Sequence, residues 1–387
     1  MTWSPTLSQC SEMTSAAVSV VVPSYNKADY IAETIDSVLG QRGVKVEVIV
    51  VDDASTDHTL EVLEGYGQRI RLQRIGGNSG AAHARNVGAS VSRGDYLMFL
   101  DADDLINPET LDSLVRALDG RTDRFAACPW QRIRLQDGEW VVYSPEKPLD
   151  PPGGDPVAAW LGNWYIPPCA ILWPRQLFED SGGWDEELAA VDDEELMIRM
   201  LLRGTEIAHA ATGEAHYRFF KDGGTLSTTP SRRLAAGRLR AVEKLEHEAV
   251  ALGALPRYRH EFGKKYYRIA RTYLEPFPDL ALTALRHADR LIELGRLPGP
   301  RHHRLLTRAL GLERKERLAR WVARRGWIDR RAAGGGSSAG PTTIELVSVP
   351  KPLSRRRGEV AACSLEGRIQ VQDGARESLC GIIEPNG

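Results

Sequence analysis

A chain of 387 residues with 42% hydrophobic and 26% charged residues reads as a soluble globular protein, large enough for a catalytic domain and a smaller unit. A formal net charge of -2 excludes binding of polyanions by bulk charge, so no nucleic-acid partner is expected, and five scattered cysteines without a C-x-x-C pair suggest neither a disulfide framework nor a zinc site. Neither a secretory signal nor an apolar run long enough to span a membrane is read, so a cytoplasmic protein that meets a membrane only at its surface is expected.

In chain order, residues 1–17 read as a flexible N-terminus. Val18–Val22 reads as a buried strand, followed by a helix over Tyr30–Leu39 with Ile31, Ile35, Val38 and Leu39 on one face. Val46–Val51 is a second strand, and Ser55, Thr56 and Asp57 offer caps for a helix over Thr59–Tyr66. A strand over Ile70–Arg74, a helix over Ala81–Ser92 and a buried strand over Tyr96–Leu100 follow. This alternation predicts an α/β fold, a mostly parallel sheet with helices on both faces. Ligands of such sheets sit beyond the carboxyl ends of the strands. The polar clusters Pro23–Lys27, Asp52–Asp57 and Asp101–Asp104 fall there. Residues 18–230 are assigned to the catalytic domain, with a loop or lid at 144–157. Residues 231–331 form a basic helical region, and 332–387 a Gly/Ser linker and tail.

The run Phe99-Leu100-Asp101-Ala102-Asp103-Asp104 places three carboxylates at one strand end. Burying them is unfavourable unless a cation or several donors compensate, and hard divalent cations prefer such oxygens. The alternative is a solvated turn leading into the helix after Pro108. In Asp52-Asp53-Ala54-Ser55-Thr56-Asp57, one carboxylate suits the ring N–H of a uracil-like base, or else caps the next helix. Arg85, in Gly80-Ala81-Ala82-His83-Ala84-Arg85-Asn86, suits phosphate oxygens, or else a surface ion pair.

These motifs together, Pro23-Ser24-Tyr25-Asn26, Val50-Val51-Asp52-Asp53, Ala84-Arg85-Asn86-Val87-Gly88 and Gly94-Asp95-Tyr96 through Asp104, resemble glycosyltransferase family 2 over about residues 18–220. The resemblance implies a GT-A type, Rossmann-like fold, a nucleotide diphosphate sugar donor with UDP favoured, a divalent metal (Mn2+ or Mg2+), and inversion at the anomeric carbon. It makes Asp53 the base-reading carboxylate, with Pro23 and Tyr25 bordering the nucleoside. Asp101 and Asp103 are the outer members of a D-x-D motif, with Asp103 as direct metal ligand and Asp101 near the ribose or the metal.

Val191-Asp192-Asp193-Glu194-Glu195-Leu196-Met197-Ile198-Arg199 resembles the family's E-D-x-x-L-x-x-R pattern, with Asp192 where Glu is commoner. Asp193 is accordingly the expected catalytic base. His216 is the expected third metal ligand, although it precedes Tyr217-Arg218 where the family's histidine usually follows such a pair. Trp184 and Asp192 are assigned to the acceptor site, since sugar C–H faces pack on aromatic rings.

Roughly half of the 50 Lys and Arg residues fall in 231–330. Leu318, Trp321 and Val322 share a face among Arg314, Lys315, Arg317, Arg320, Arg324 and Arg325. Such a helix suits the anionic inner face of a membrane, beside a glycan or lipid-linked acceptor, or else packs on the catalytic domain. Two competing functions are a sugar-nucleotide nucleotidyltransferase and a carbohydrate-binding protein on a GT-A frame. The first is disfavoured by the lack of a Gly-rich basic loop after the first strand, the second by the complete set of Asp53, Asp101, Asp103 and Asp193.

Overall fold

The computed structural model describes residues 17–144, 149–188, 191–220, 231–292, 311 and 313–318. The chain divides into two compact units, Met1–Ser348 and Val349–Gly387, and every described residue belongs to the first.

The elements run β1 (Ala17–Ser24), α1 (Ile31–Leu39), β2 (Lys45–Asp52), α2 (Thr59–Glu64), β3 (Arg71–Arg74), α3 (Ala81–Val91), β4 (Tyr96–Phe99), β5 (Leu105–Ile106) and α4 (Thr110–Leu118). Then come β6 (Arg124–Ala127), β7 (Trp130–Gln136), β8 (Glu139–Ser144), α5 (Pro156–Leu161), β9 (Ile171–Pro174), α6 (Arg175–Ser181), α7 (Asp192–Leu202), β10 (Glu206–His209) and β11 (Ala215–Arg218). The described C-terminal part carries α8 (Arg232–Ala251), α9 (Leu255–Tyr273) and α10 (Pro278–Leu291).

A seven-stranded sheet has the order β10-β6-β9-β4-β1-β2-β3. All its pairings are parallel except those of β9 with β4 and β6. β1 is central because Val18, Val20, Val21 and Val22 are buried on both faces, as a near-continuous β-branched run requires. Register fixes the site. Ser24 pairs with Asp52 and Val21 with Phe99, so the polar ends of β1, β2 and β4 meet at one edge. Helix α3 packs closely over this sheet: a Cβ on Gly88 would lie 2.3 Å from Val21 Cγ1.

A second sheet, β5-β11-β7-β8, is absent from the sequence expectation. Its strands are short, and β7 mixes arginines with apolar residues, which hides the two-residue period. The expected loop at 144–157 is shorter than anticipated. A turn at Pro152–Gly154 leads directly into α5, where the Asp155 carboxylate accepts from Ala158 N at 3.0 Å. Residues 145–148 of that loop lie outside the described residues.

Helices α8, α9 and α10 bury Leu239, Val242, Leu245, Phe262, Tyr266 and Leu285 in the same continuous core as the sheet. Several of their charges meet charged residues of the first 220 residues. Lys244 pairs with Asp185, Arg240 with Glu187 and Lys265 with Glu194. Arg257 lies 2.7 Å from Asp155, and Glu248 lies 2.7 Å from Arg203. Part of the basic excess is thus consumed inside the molecule. Leu318 is exposed, whereas Trp321, Val322, Arg320, Arg324 and Arg325 lie outside the described residues. Among the described residues no helix is long and apolar enough to cross a membrane.

Candidate active site

The end of β1 turns sharply at Asn26, φ +52°. Asn26 Oδ1 accepts from Thr56 N at 2.8 Å, Asn26 N donates to Ser55 Oγ at 3.0 Å, and Asp53 N donates to Ser24 O at 2.8 Å. These bonds close the β1 and β2 loops on each other. His58 stands at the N-cap of α2 without a side-chain cap bond, and Asp57, one residue earlier, accepts from Thr59 N at 3.0 Å. Pro23 is buried at the strand end, while Tyr25 is 42% exposed beside it. Asp53 is buried, and its two oxygens accept from Ser79 N and Gly80 N at 2.7 Å each. Gly80 has φ +97°, a conformation suited to glycine, and it starts α3. Asp53 therefore holds the entry to α3 against the end of β2.

At the end of β4 the three acids take different partners. Lys27 Nζ lies 2.5 Å from Asp103 Oδ2. Asp104 is buried and accepts from Arg218 N at 2.9 Å. Arg218 itself is buried, donates through Nη1 to Asp103 O at 3.1 Å, pairs with Glu33, and lies 4.5 Å from the Trp140 ring centre. Burial raises the pKa of Asp103 against the pull of Lys27. Burial and the charges of Asp103 and Asp101 push Asp104 well above the ordinary carboxylate range.

Arg85 joins this cluster to the second one. Its Nη2 lies 2.6 Å from Asp101 Oδ1 and its Nη1 2.6 Å from Asp192 Oδ2. Burial opposes its charge, but Asp101 and Asp192 outweigh burial and hold its pKa above the ordinary value. Asp192 and Asp193 open α7, where the helix dipole favours negative charge. Even so, burial first and the Asp192 charge second push the Asp193 carboxyl up to about 7. A carboxyl poised near neutrality at a helix start has a proton affinity that suits a general base.

Of the expected site residues, Pro23, Tyr25, Asp53, Asp101 and Asp103 gather where β1, β2 and β4 end, and Arg85 links them to Asp192 and Asp193. Four expectations change in detail. Arg85 does not stand free for a phosphate but bridges two carboxylates. Trp184 is 5% exposed, edge-on to Phe99 at 5.1 Å and beneath the Arg85 guanidinium at 4.6 Å, so it is a packing residue that supports Arg85. Asp192 is likewise buried under Arg85 and presents no open surface to an acceptor. His216 forms no metal-holding group with Asp101 and Asp103 among the described residues: its Nε2 is hydrogen-bonded to Glu214, just before the strand.

Among the described residues no three His, Cys, Asp or Glu side chains form a ready cage for a metal. Mg2+ and Mn2+ do not need one when a diphosphate supplies further oxygens, since one or two carboxylates suffice. Asp101 and Asp103 fit this requirement. They are hard oxygen donors in a group with surplus negative charge, and Asp103 already holds a cation, the Lys27 ammonium.

Three residues escaped the sequence reading. Lys27 sits in the first polar cluster but carried no role there. Arg218 acts through a strand that was not foreseen. Lys265 comes from α9, more than 70 residues after Asp193, and no local signal could have linked it to α7.

Residues 19–180 match the model of "Glycosyl transferase family 2". Residues 19–180 form a family 2 glycosyltransferase domain. Named relatives agree. The domain is similar to the putative teichuronic acid biosynthesis glycosyltransferase TuaG of Bacillus subtilis, 38% identical over 135 residues, 33% of this chain and 53% of TuaG. It is also similar to the poly(ribitol-phosphate) beta-N-acetylglucosaminyltransferase TarS of Staphylococcus aureus, 29% identical over 238 residues, 59% of this chain and 40% of TarS. The chain spans about half the length of the curated relatives it matches, 53% of the first. The crystal structure of S. aureus TarS 1–349 superposes with a TM-score of 0.58 at 20% identity, covering 80% of this chain and 92% of that one. The glycosyltransferase domain thus has the GT-A type architecture that the sequence implied, a mostly parallel sheet followed by C-terminal helices.

Proposed function

We propose that this protein transfers a sugar, with inversion, from a nucleoside diphosphate sugar to a hydroxyl of a glycan or lipid-linked acceptor in bacterial polysaccharide or glycoconjugate assembly. The single observation that carries the reading is the placement of Asp193. It is a carboxyl poised near 7 and joined through Asp192, Arg85 and Asp101 to the strand end where a diphosphate would lie. A UDP-sugar is the favoured donor. The solved TarS complex with UDP-GlcNAc shares the fold, and Asp53 lies at the end of β2, the strand paired with the β1 end that carries Pro23 and Tyr25.

Asp193 takes the proton of the acceptor hydroxyl as that oxygen attacks the anomeric carbon, and the nucleoside diphosphate departs from the opposite face. Asp101 and Asp103 are the residues that would hold a divalent ion, which would supply positive charge to the diphosphate leaving group. Lys27 adds a fixed positive charge at the same place. Arg85 keeps Asp101 and the start of α7 in register, so that base and donor stay aligned. A peripheral contact with an anionic inner membrane surface, through the basic residues after α10, completes the reading. Co-sedimentation with anionic vesicles at low and high salt tests it.

A thermal-shift series with UDP, GDP and dTDP, each with and without Mn2+, is the deciding experiment. Stabilisation by UDP that depends on Mn2+ is expected, because ligand bound to the folded state raises the melting temperature. Absence of any nucleotide effect would overturn the proposal.

A further inference from the structure

A cavity of about 490 Å³ lies between the turn after α5 and one face of α9, lined in part by Asn163, Trp164, Glu261, Lys264 and Arg268. Its volume falls within the range of small-ligand sites. Its lining is not that of a packing defect. Glu261, Lys264 and Arg268 are three and four residues apart and share one face of the helix. Asn163 has φ +79°, which turns the chain and brings the half-buried Trp164 to the rim, edge-on to Trp160 at 6.0 Å. Arg268 is half-buried, donates through Nη2 to the Leu161 carbonyl, and has its pKa lowered by burial alone. A partly desolvated guanidinium facing a neutral carbonyl is a cation with capacity for an anion.

We propose that this cavity binds an anionic unit of the acceptor glycan, a sugar or polyol carrying a carboxylate or phosphate; its role as an acceptor subsite rests on the glycosyl-transfer reading above. The oxyanion accepts from Arg268 and Lys264, and the apolar face of the same unit packs on Trp164. The position suits an extended acceptor. Lys265, the neighbour of Lys264, is buried, feels the charge of Arg268 and pairs with Glu194, the residue after Asp193. The proposal places in this cavity a flanking unit of a chain whose reacting hydroxyl lies at Asp193.

Isothermal titration of the full chain tests this with four probes: an oligomer of glucuronic acid, an oligomer of ribitol phosphate, a neutral glucose oligomer of matched length, and inorganic phosphate. At least one anionic oligomer should bind about tenfold or more tightly than the neutral one, a difference of about 1.4 kcal/mol, and the tighter of the two identifies the anion. Inorganic phosphate should bind more weakly than that oligomer, lacking the contact with Trp164. Arg268→Gln should abolish the preference. Lys264→Gln should weaken it about twofold to fivefold, and Glu261→Gln should strengthen anion binding, because a neighbouring negative charge is removed. The last two variants do not touch the Leu161 contact and keep the test open should Arg268→Gln misfold. Equal binding of neutral and anionic oligomers, no binding of either, or indifference to all three substitutions would overturn the assignment. Nucleotide-induced stabilisation is measured on the same preparation. Anionic oligomers that bind without any nucleotide response would leave the cavity standing and sink the transferase reading; the reverse would do the opposite.

Discussion

Arg85 Nη1 lies 2.6 Å from Asp192 Oδ2, while the other arm of the same guanidinium lies 2.6 Å from Asp101 Oδ1. One buried side chain on α3 therefore ties the start of α7 to the end of β4. Arg85→Gln leaves two carboxylates facing each other without a cation. Breaking a buried pair by removing one partner costs about 3–5 kcal/mol. Urea denaturation should report a loss of that size, together with loss of transfer. Arg85→Lys should recover only part of both, because an ammonium lacks the fork that meets two carboxylates. Wild-type stability in Arg85→Gln would mean that the bridge contributes nothing.

Asp193 gives two opposed expectations. As a base it must be ionised, so turnover should rise with pH up to a plateau above about 7. Stability should run the other way. The folded-state pKa is raised, so between pH 4 and about 7 the native state holds a proton that the unfolded chain has lost. The stabilisation is complete at low pH and fades as pH rises through the folded value. Asp193→Asn should lower turnover on the order of 10²-fold or more. It should also melt higher than wild type above pH 7, where a buried charge is removed. Lower nucleotide affinity in place of lower turnover would assign Asp193 to the donor site.

The meeting of the three polar clusters at one edge of the sheet was legible in the sequence because it is local. Pro23–Lys27, Asp52–Asp57 and Asp101–Asp104 each follow a strong apolar strand, and parallel pairing alone brings their ends together. What was hidden is what depends on distant pairing. Arg218 reaches Asp103 and Asp104 only because β11 pairs with both β5 and β7, and those strands lack a clean alternating pattern. Trp184 was assigned to the acceptor site as an aromatic ring for sugar C–H faces, yet it packs beneath Arg85. Part of the basic excess of α8 and α9 looked unmatched because its acidic partners, Asp155, Asp185, Glu187 and Glu194, lie far off in the chain.

Lys27 and a divalent ion would share Asp103. Lys27→Met should therefore tighten Mn2+ binding to the nucleotide-loaded protein, read as a lower apparent dissociation constant in calorimetry. Asp103→Asn should remove the Mn2+-dependent part of nucleotide stabilisation and leave the folded protein intact. A Mn2+ response that survives in Asp103→Asn would move the ion elsewhere.

Lys265 offers the sharpest test of what the C-terminal helices do for the reaction. It is buried on α9 and pairs with Glu194 on α7, and burial followed by the charge of Arg268 lowers its pKa to about 7, against the pull of Asp193. At neutral pH it is thus a part-time cation beside the base. Lys265→Met keeps the volume of the side chain and removes the charge, so packing of α9 on the domain should persist. Loss of a nearby positive charge favours the neutral form of a carboxyl, so the Asp193 pKa should rise. The acid limb of the pH profile of kcat/KM should then move to higher pH, while the activity above the limb stays close to wild type. Lys265→Arg should move the limb the other way, because a guanidinium remains charged throughout the range. A purely structural role for Lys265 predicts something different: a fall in melting temperature and in activity at all pH values, with the limb unmoved.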